Sequence, residues 1–175
     1  PRNPNAQRIL GEATFQLGDR SAEGLERIMG LFKLDENRKD VLAFLAAQYR
    51  AGKHESKTAI DILTRQLQLA PDDRETLFYL ADMYERRQNF SAAGLKVFER
   101  AVRFAPDKVQ YHASLAACLM QAGKQDEAAR VIAKALEKWP DHPDLRRLGS
   151  SASAPLSEEL RASDTPSGTR VPLPA

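Results

Sequence analysis

The side chains in this sequence that could hold a metal or move a proton are three histidines, one cysteine and a few adjacent carboxylates. His54, His112 and His142 lie far apart, and no His-x-x-x-His or His-Glu-x-x-His spacing occurs. No helix face therefore brings two imidazoles to one metal, and all three read as exposed or half-buried side chains. Cys118 stands between Ala117 and Leu119 with no His and Asp or Asn set pointing to it. A small buried hydrophobe is the better reading than a nucleophile. As the only cysteine it also excludes an intrachain disulfide and a cysteine zinc site. Asp72-Asp73 and Glu158-Glu159 are adjacent in sequence, which suits helix caps and solvent better than an acid/base pair. Gly18, Gly52 and Gly123 fit turns, and no glycine-rich phosphate loop follows a strand. The chain therefore reads as non-enzymatic, with no cofactor and no metal.

The elements that carry these side chains are helical. Of 175 residues, 42% are hydrophobic and 29% charged, and Ala and Leu dominate the apolar set, which favours helix over sheet. The net charge of +2 is balanced, with acids and bases interleaved as in Glu99-Arg100 and Glu137-Lys138. That is too balanced to suggest a nucleic-acid or anionic-membrane surface by itself. No apolar run approaches the length of a membrane span and no signal-peptide pattern is present. The chain starts at Pro1 without a methionine, so it reads as a processed or excised product. The compartment, cytoplasmic or periplasmic, stays open.

Repetition is the strongest signal. Leu69-Ala70-Pro71-Asp72, Phe104-Ala105-Pro106-Asp107 and Lys138-Trp139-Pro140-Asp141 recur at steps of 35 and 34 residues, each after an amphipathic stretch. Between them, Leu45-Ala46, Leu80-Ala81 and Leu115-Ala116 keep register, followed by Tyr49, Tyr84 and Leu119. Ala59, Ala93 or Gly94, and Ala128 then precede Leu63, Phe98 and Ile132. Small residues let two antiparallel helices approach, and large apolar ones fill the gaps between them. Proline ends each second helix and presets the next turn, while Asp or Asn near each turn can cap the following helix. This spacing predicts helices near 5–17, 22–33, 39–51, 56–69, 74–87, 91–104, 108–122 and 125–138.

These residues resemble the tetratricopeptide repeat family over about four-fifths of the chain. The units run 39–73, 74–108 and 109–142, preceded by a degenerate unit, 5–38, that keeps Phe15, Gly24, Ile28 and Leu31 but lacks the proline. A short helix over 143–148 would cap the stack, and 149–175, rich in Pro and Ser, reads as an extended or disordered tail. The resemblance implies an all-α fold, a right-handed superhelical stack of antiparallel helix pairs whose first helices line a concave groove. It also implies that the chain holds another protein, as a peptide or helix, in that groove, with no nucleic acid and no membrane insertion.

By repeat position, the residues facing the groove are Asp40, Ala43, Phe44, Ala47 and Arg50, then Glu75, Phe78, Tyr79, Asp82 and Arg86, then Gln110, Ala113, Ser114, Ala117 and Gln121. Chaperone-binding members of the family grip a C-terminal carboxylate with Lys, Asn and Arg at these positions. That clamp is missing here. The groove instead mixes an alanine floor with aromatic anchors and a charged rim, the usual make-up of a protein-binding hot spot. For Phe44, simple packing between neighbouring helices is an equal reading; for Phe78 the groove is favoured, because Leu77, Leu80 and Tyr84 already supply the core stripe. The Ala- and Arg-rich style of the units points to an adaptor or scaffold in a bacterial assembly, secretion or export system. Two alternatives stay open: a self-assembly module using unmasked Ile9, Leu10 and Phe15, with a possible homo-oligomer, and a regulatory domain of a larger protein. A docking role for the apolar tail residues Leu156, Leu160, Val171 and Leu173 is weaker than a solvated linker.

Overall fold

The computed structural model describes residues 3–152. Among them are nine helices: α1 Pro4–Gln16, α2 Ala22–Leu34, α3 Lys39–Ala51, α4 Lys57–Leu69, α5 Arg74–Arg86, α6 Ala92–Phe104, α7 Val109–Gln121, α8 Gln125–Lys138 and α9 Pro143–Ala152. The first eight fall within one residue of the expected bounds. The last is longer than expected: Gly149, Ser150, Ser151 and Ala152 continue α9 where the sequence suggests the start of a linker. The rest of that tail, with Leu156, Leu160, Val171 and Leu173, lies outside the described residues.

The helices pair as α1 with α2, α3 with α4, α5 with α6 and α7 with α8, and each second helix then packs on the next first helix. Successive first helices also touch: α3 with α5, α5 with α7 and α7 with α9. The result is an all-α solenoid whose core is one continuous cluster from Ile28 to Ala128. A small separate cluster of Ala113, Ala135 and Leu145 closes the C-terminal end. α9 stands in the place of a fifth first helix, covering the apolar face that α7 and α8 would otherwise expose.

The turns follow from local chemistry. Within each of the four pairs the connection passes through one left-handed residue: Gly18, Lys53, Gln88 and Gly123, spaced by 35 residues. Glycine reaches this conformation freely, whereas Lys and Gln do so at a steric cost. Gly52, the turn glycine singled out in the sequence, has φ −78 and only precedes the left-handed Lys53. Three second helices begin at a serine cap: Ser21 accepts from the Gly24 N–H, Ser56 from Ala59 and Ser91 from Gly94. The expected acidic or amide caps occur at Asn3 and Asp73, but α3 and α7 start at Arg38 and Lys108 with no side-chain cap. The small residue of the third unit is Gly94, which is buried, and not the exposed Ala93. A Cβ on Gly94 would lie 2.6 Å from the Asn89 carbonyl oxygen, so even alanine is too large there.

Candidate functional site

The side chains expected to face a groove sit on α3, α5 and α7, and the repeat step places equivalent residues on successive first helices. Phe44, Phe78 and Tyr79 are all half-buried. Each is held by a residue from a neighbouring unit. Phe44 meets Phe15 edge-on, with ring centroids 5.5 Å apart. Phe78 stacks on Tyr111 at 6.1 Å and 16°. The Tyr79 hydroxyl donates to the His54 carbonyl at 3.2 Å. Phe44 and Phe78 both pack against the core while part of each ring stays exposed.

Beneath Phe78 lies Tyr111, 1% exposed, whose hydroxyl donates to Asp82 Oδ1 at 2.7 Å. Burial, reinforced by that bond to a carboxylate, pushes the Tyr111 phenol well above its usual range. Tyr111 went unnoticed in the sequence because it sits beside the groove-facing positions of α7, and its partners lie 29 and 33 residues upstream. Burial, with the Glu55 charge behind it, also raises the Tyr79 phenol. Both tyrosines stay protonated and able to donate at neutral pH.

The charged rim is largely neutralised by its own chain. Arg50 donates to Glu75 Oε2 at 2.9 Å and to the Thr76 hydroxyl, which in turn donates to Asp73 Oδ2 at 2.8 Å. Arg86 places two nitrogens on Glu55 Oε1, at 2.6 and 3.1 Å. Asp40 pairs with Arg38, which also reaches Glu12. The Arg38 guanidinium brings the Asp40 carboxyl down to about 2. Pairs with an exposed partner contribute little stability, but they give Arg50, Arg86 and Asp40 a partner within the chain.

The remaining positions divide by accessibility. Asp40, Ala43, Glu75, Arg86, Gln110 and Gln121 are exposed, while Ala47, Arg50, Asp82 and Ala117 are partly covered. Ala113 and Ser114 are buried, Ala113 against Ala135 and Leu145. These two offer almost no side-chain surface, Ala113 because Leu145 of α9 packs beside it. A further stretch of the same register was passed over: one 35-residue step back from Asp40, Ala43, Phe44 and Ala47 falls on Asn5, Arg8, Ile9 and Glu12 of α1. The loss of the proline signature in the first unit hid it.

The reactive residues are not gathered. Cys118 is buried and its thiol is raised to about 11 by burial and the Glu99 charge, the reverse of an activated nucleophile. His54 packs edge-on against Tyr49, and His112 lies 5.3 Å from the Trp139 ring. Among the described residues no group of three His, Cys, Asp or Glu is placed to hold a metal ion. Nor is any of the described helices long and apolar enough to cross a membrane.

Two family models described as tetratricopeptide repeat match the sequence, one over residues 42–109 and the other over 109–150, together more than half of the chain. Neither extends over α1 and α2. Solved structures of MamA are similar: MamA AMB-1 has a TM-score of 0.53 at 18% identity, covering 90% of this chain and 88% of that one. MamA MSR-1 gives 0.52 at 18%, covering 91% and 87%. At such identity the likeness concerns the fold. A thermophilic tetratricopeptide protein of Thermus thermophilus is 22% identical over 87% of this chain and 82% of that one, with a TM-score of 0.40. No curated protein matches the sequence.

Proposed function

The chain belongs to the tetratricopeptide repeat family, and from that premise we propose that it is a non-catalytic recognition module that holds a peptide or helix of another protein in the groove lined by α3, α5 and α7. Proteins built from these repeats are interaction scaffolds as a class. The observation that carries the groove reading is the row of Phe44, Phe78 and Tyr79, each half-exposed and each fixed by a contact from a neighbouring unit. Rings locked before binding lose little freedom on contact, so more of their burial appears as affinity. With the rim charges already paired, the preferred partner presents apolar or aromatic side chains on a segment of low charge. The Ala- and Arg-rich style of the units supports a role in a bacterial assembly, secretion or export system.

Tyr79→Ala separates recognition from folding better than Phe78→Ala, since its hydroxyl meets only an exposed backbone carbonyl and its ring is only partly buried against the core. The variant is expected to lose the proteins that the intact chain captures from its native lysate. Its midpoint of urea unfolding should move by no more than about 1 kcal/mol. Capture of the same proteins by both forms would remove the groove as the binding site. Phe78→Ala is the less clean variant, because it also strips the stack from Tyr111.

A further inference from the structure

Two carboxylates of α5 stand apart from the paired charges around them. Among the described residues, neither Asp82 nor Glu85 forms an ion pair with a basic side chain; Asp82 accepts from the Tyr111 hydroxyl. The nearest cations are turned elsewhere. Arg86 donates to Glu55, and Lys108 lies over the Tyr111 ring. Glu85 is half-buried, and burial, ahead of the Asp82 charge, raises its carboxyl above the usual range. Phe78, Asp82 and Glu85 follow one another at steps of four and three residues, on one face of the helix. An aromatic seat and an acidic seat with no cation of its own thus lie side by side.

The matching chemistry occurs in the same chain. Arg170 directly precedes Val171-Pro172-Leu173-Pro174, which joins one cation to an uncharged apolar run. Proline-rich segments dock in aromatic-lined grooves, because an extended backbone fixed by proline loses little freedom on binding. The fold also starts the tail in the line of the groove. α9 begins 34 residues after α7, at 143 against 109, and stands as a fifth first helix. Its end at Ala152 is the repeat equivalent of Cys118 and, one unit further back, of Met83. The chain therefore leaves α9 level with Asp82 and Glu85, two first-helix steps away. Such steps are about 8–10 Å each, and the 18 residues from Ala152 to Arg170 can span roughly 60 Å.

We propose that residues 170–174 seat in the groove of their own chain, with Arg170 at Asp82 and Glu85 and Val171 to Pro174 across Phe78 and Tyr79. The tail then shields the groove until a partner protein displaces it. This rests on the groove reading and adds to it an autoinhibitory occupant.

The test is a brief tryptic digestion of the full chain, since Arg161 and Arg170 both lie in the tail. Mass spectrometry of the first cuts gives the ratio of cleavage at Arg170 to cleavage at Arg161. A synthetic peptide of residues 153–175 supplies the ratio for an unseated segment. In the full chain the ratio is expected to be at least about tenfold lower, because cleavage follows the fraction of time the segment is free. Tyr79→Ala, Glu85→Gln and Leu173→Asp should each return it toward the peptide value, with helical circular dichroism retained. A full chain that matches the peptide overturns the proposal and leaves the groove reading to the capture experiment with Tyr79→Ala. Protection of Arg170 that is indifferent to these variants overturns it too, by placing the seat elsewhere. Protection lost on dilution gives the segment to the groove of a second copy, against the same-chain assignment.

Discussion

Asp73 shows how much one residue can tie together. Its carboxylate caps α5 through the Thr76 N–H at 3.0 Å, accepts from the buried Thr76 hydroxyl and from Gln66, and stands 3.7 Å from Arg50. Burial alone would raise its pKa, but hydrogen bonds from Thr76 and Gln66 outweigh burial and leave it below the usual carboxylate range. Asp73→Ala is expected to cost about 2 kcal/mol in urea unfolding, the loss of a cap plus a buried Thr76 hydroxyl left without its acceptor. The lowered pKa values of Asp73 and Asp40 have a definite sign: the unfolded chain binds more protons, so their contribution is fully present above the ordinary carboxylate pKa of about 4. It is lost as the pH falls toward about 2, the value reached by Asp40. Thermal melts between pH 5 and pH 2 should therefore show stability falling with acid, less steeply in Asp73→Ala. The sequence marks Asp72-Asp73 as capping residues, and Asp73 does cap. It could not show the tie to Arg50, because that partner lies at the end of α3, a whole helix upstream of the cap.

Helix boundaries were nearly all legible, because proline, small residues and apolar steps recur with the same period in three units, and the small and apolar steps in the first as well. The backbone inside the turns was not. The left-handed residue of each pair falls on glycine in the first and fourth units, but on Lys53 and Gln88 in the other two, where no residue type announces it. Lys53→Gly and Gln88→Gly should each raise stability by up to about 1 kcal/mol, because relief of the left-handed strain outweighs the added freedom of the unfolded chain. Urea midpoints of the two single variants and the double variant check this, and the increments should add, since the sites are separate. A loss of stability would mean that these side chains contribute more than their backbone costs. The length of α9 was likewise hidden, because Gly149, Ser150 and Ser151 are poor helix formers. Gly149 nonetheless packs near Ile132, and contact of this kind overrides propensity.

At the scale of the whole molecule, the fold could be read from the repeat, whereas the fine structure of the proposed groove could not. It depends on cross-unit contacts such as Phe78 with Tyr111 and on the packing of α9 against α7. Because contacts join only near neighbours, damage should stay local. Leu145→Ala, which empties a fully buried position in the terminal cluster, is expected to cost about 2–4 kcal/mol there. Amide exchange should quicken through α7, α8 and α9 and hardly change in α2 to α5; uniform loss of protection would mean that the stack melts as one body. The pattern of contacts between units has a mechanical side as well. From α3 onward successive first helices touch, and aromatic contacts fasten first helices of neighbouring units, while on the second-helix side the ties between units are polar and exposed, Arg100 to the Pro71 carbonyl and Lys138 to Asp107. Such a stack bends like a hand fan riveted along its inner edge: the outer ribs spread and close, and the spacing at the rivets, where a guest would lie, is the last thing to change.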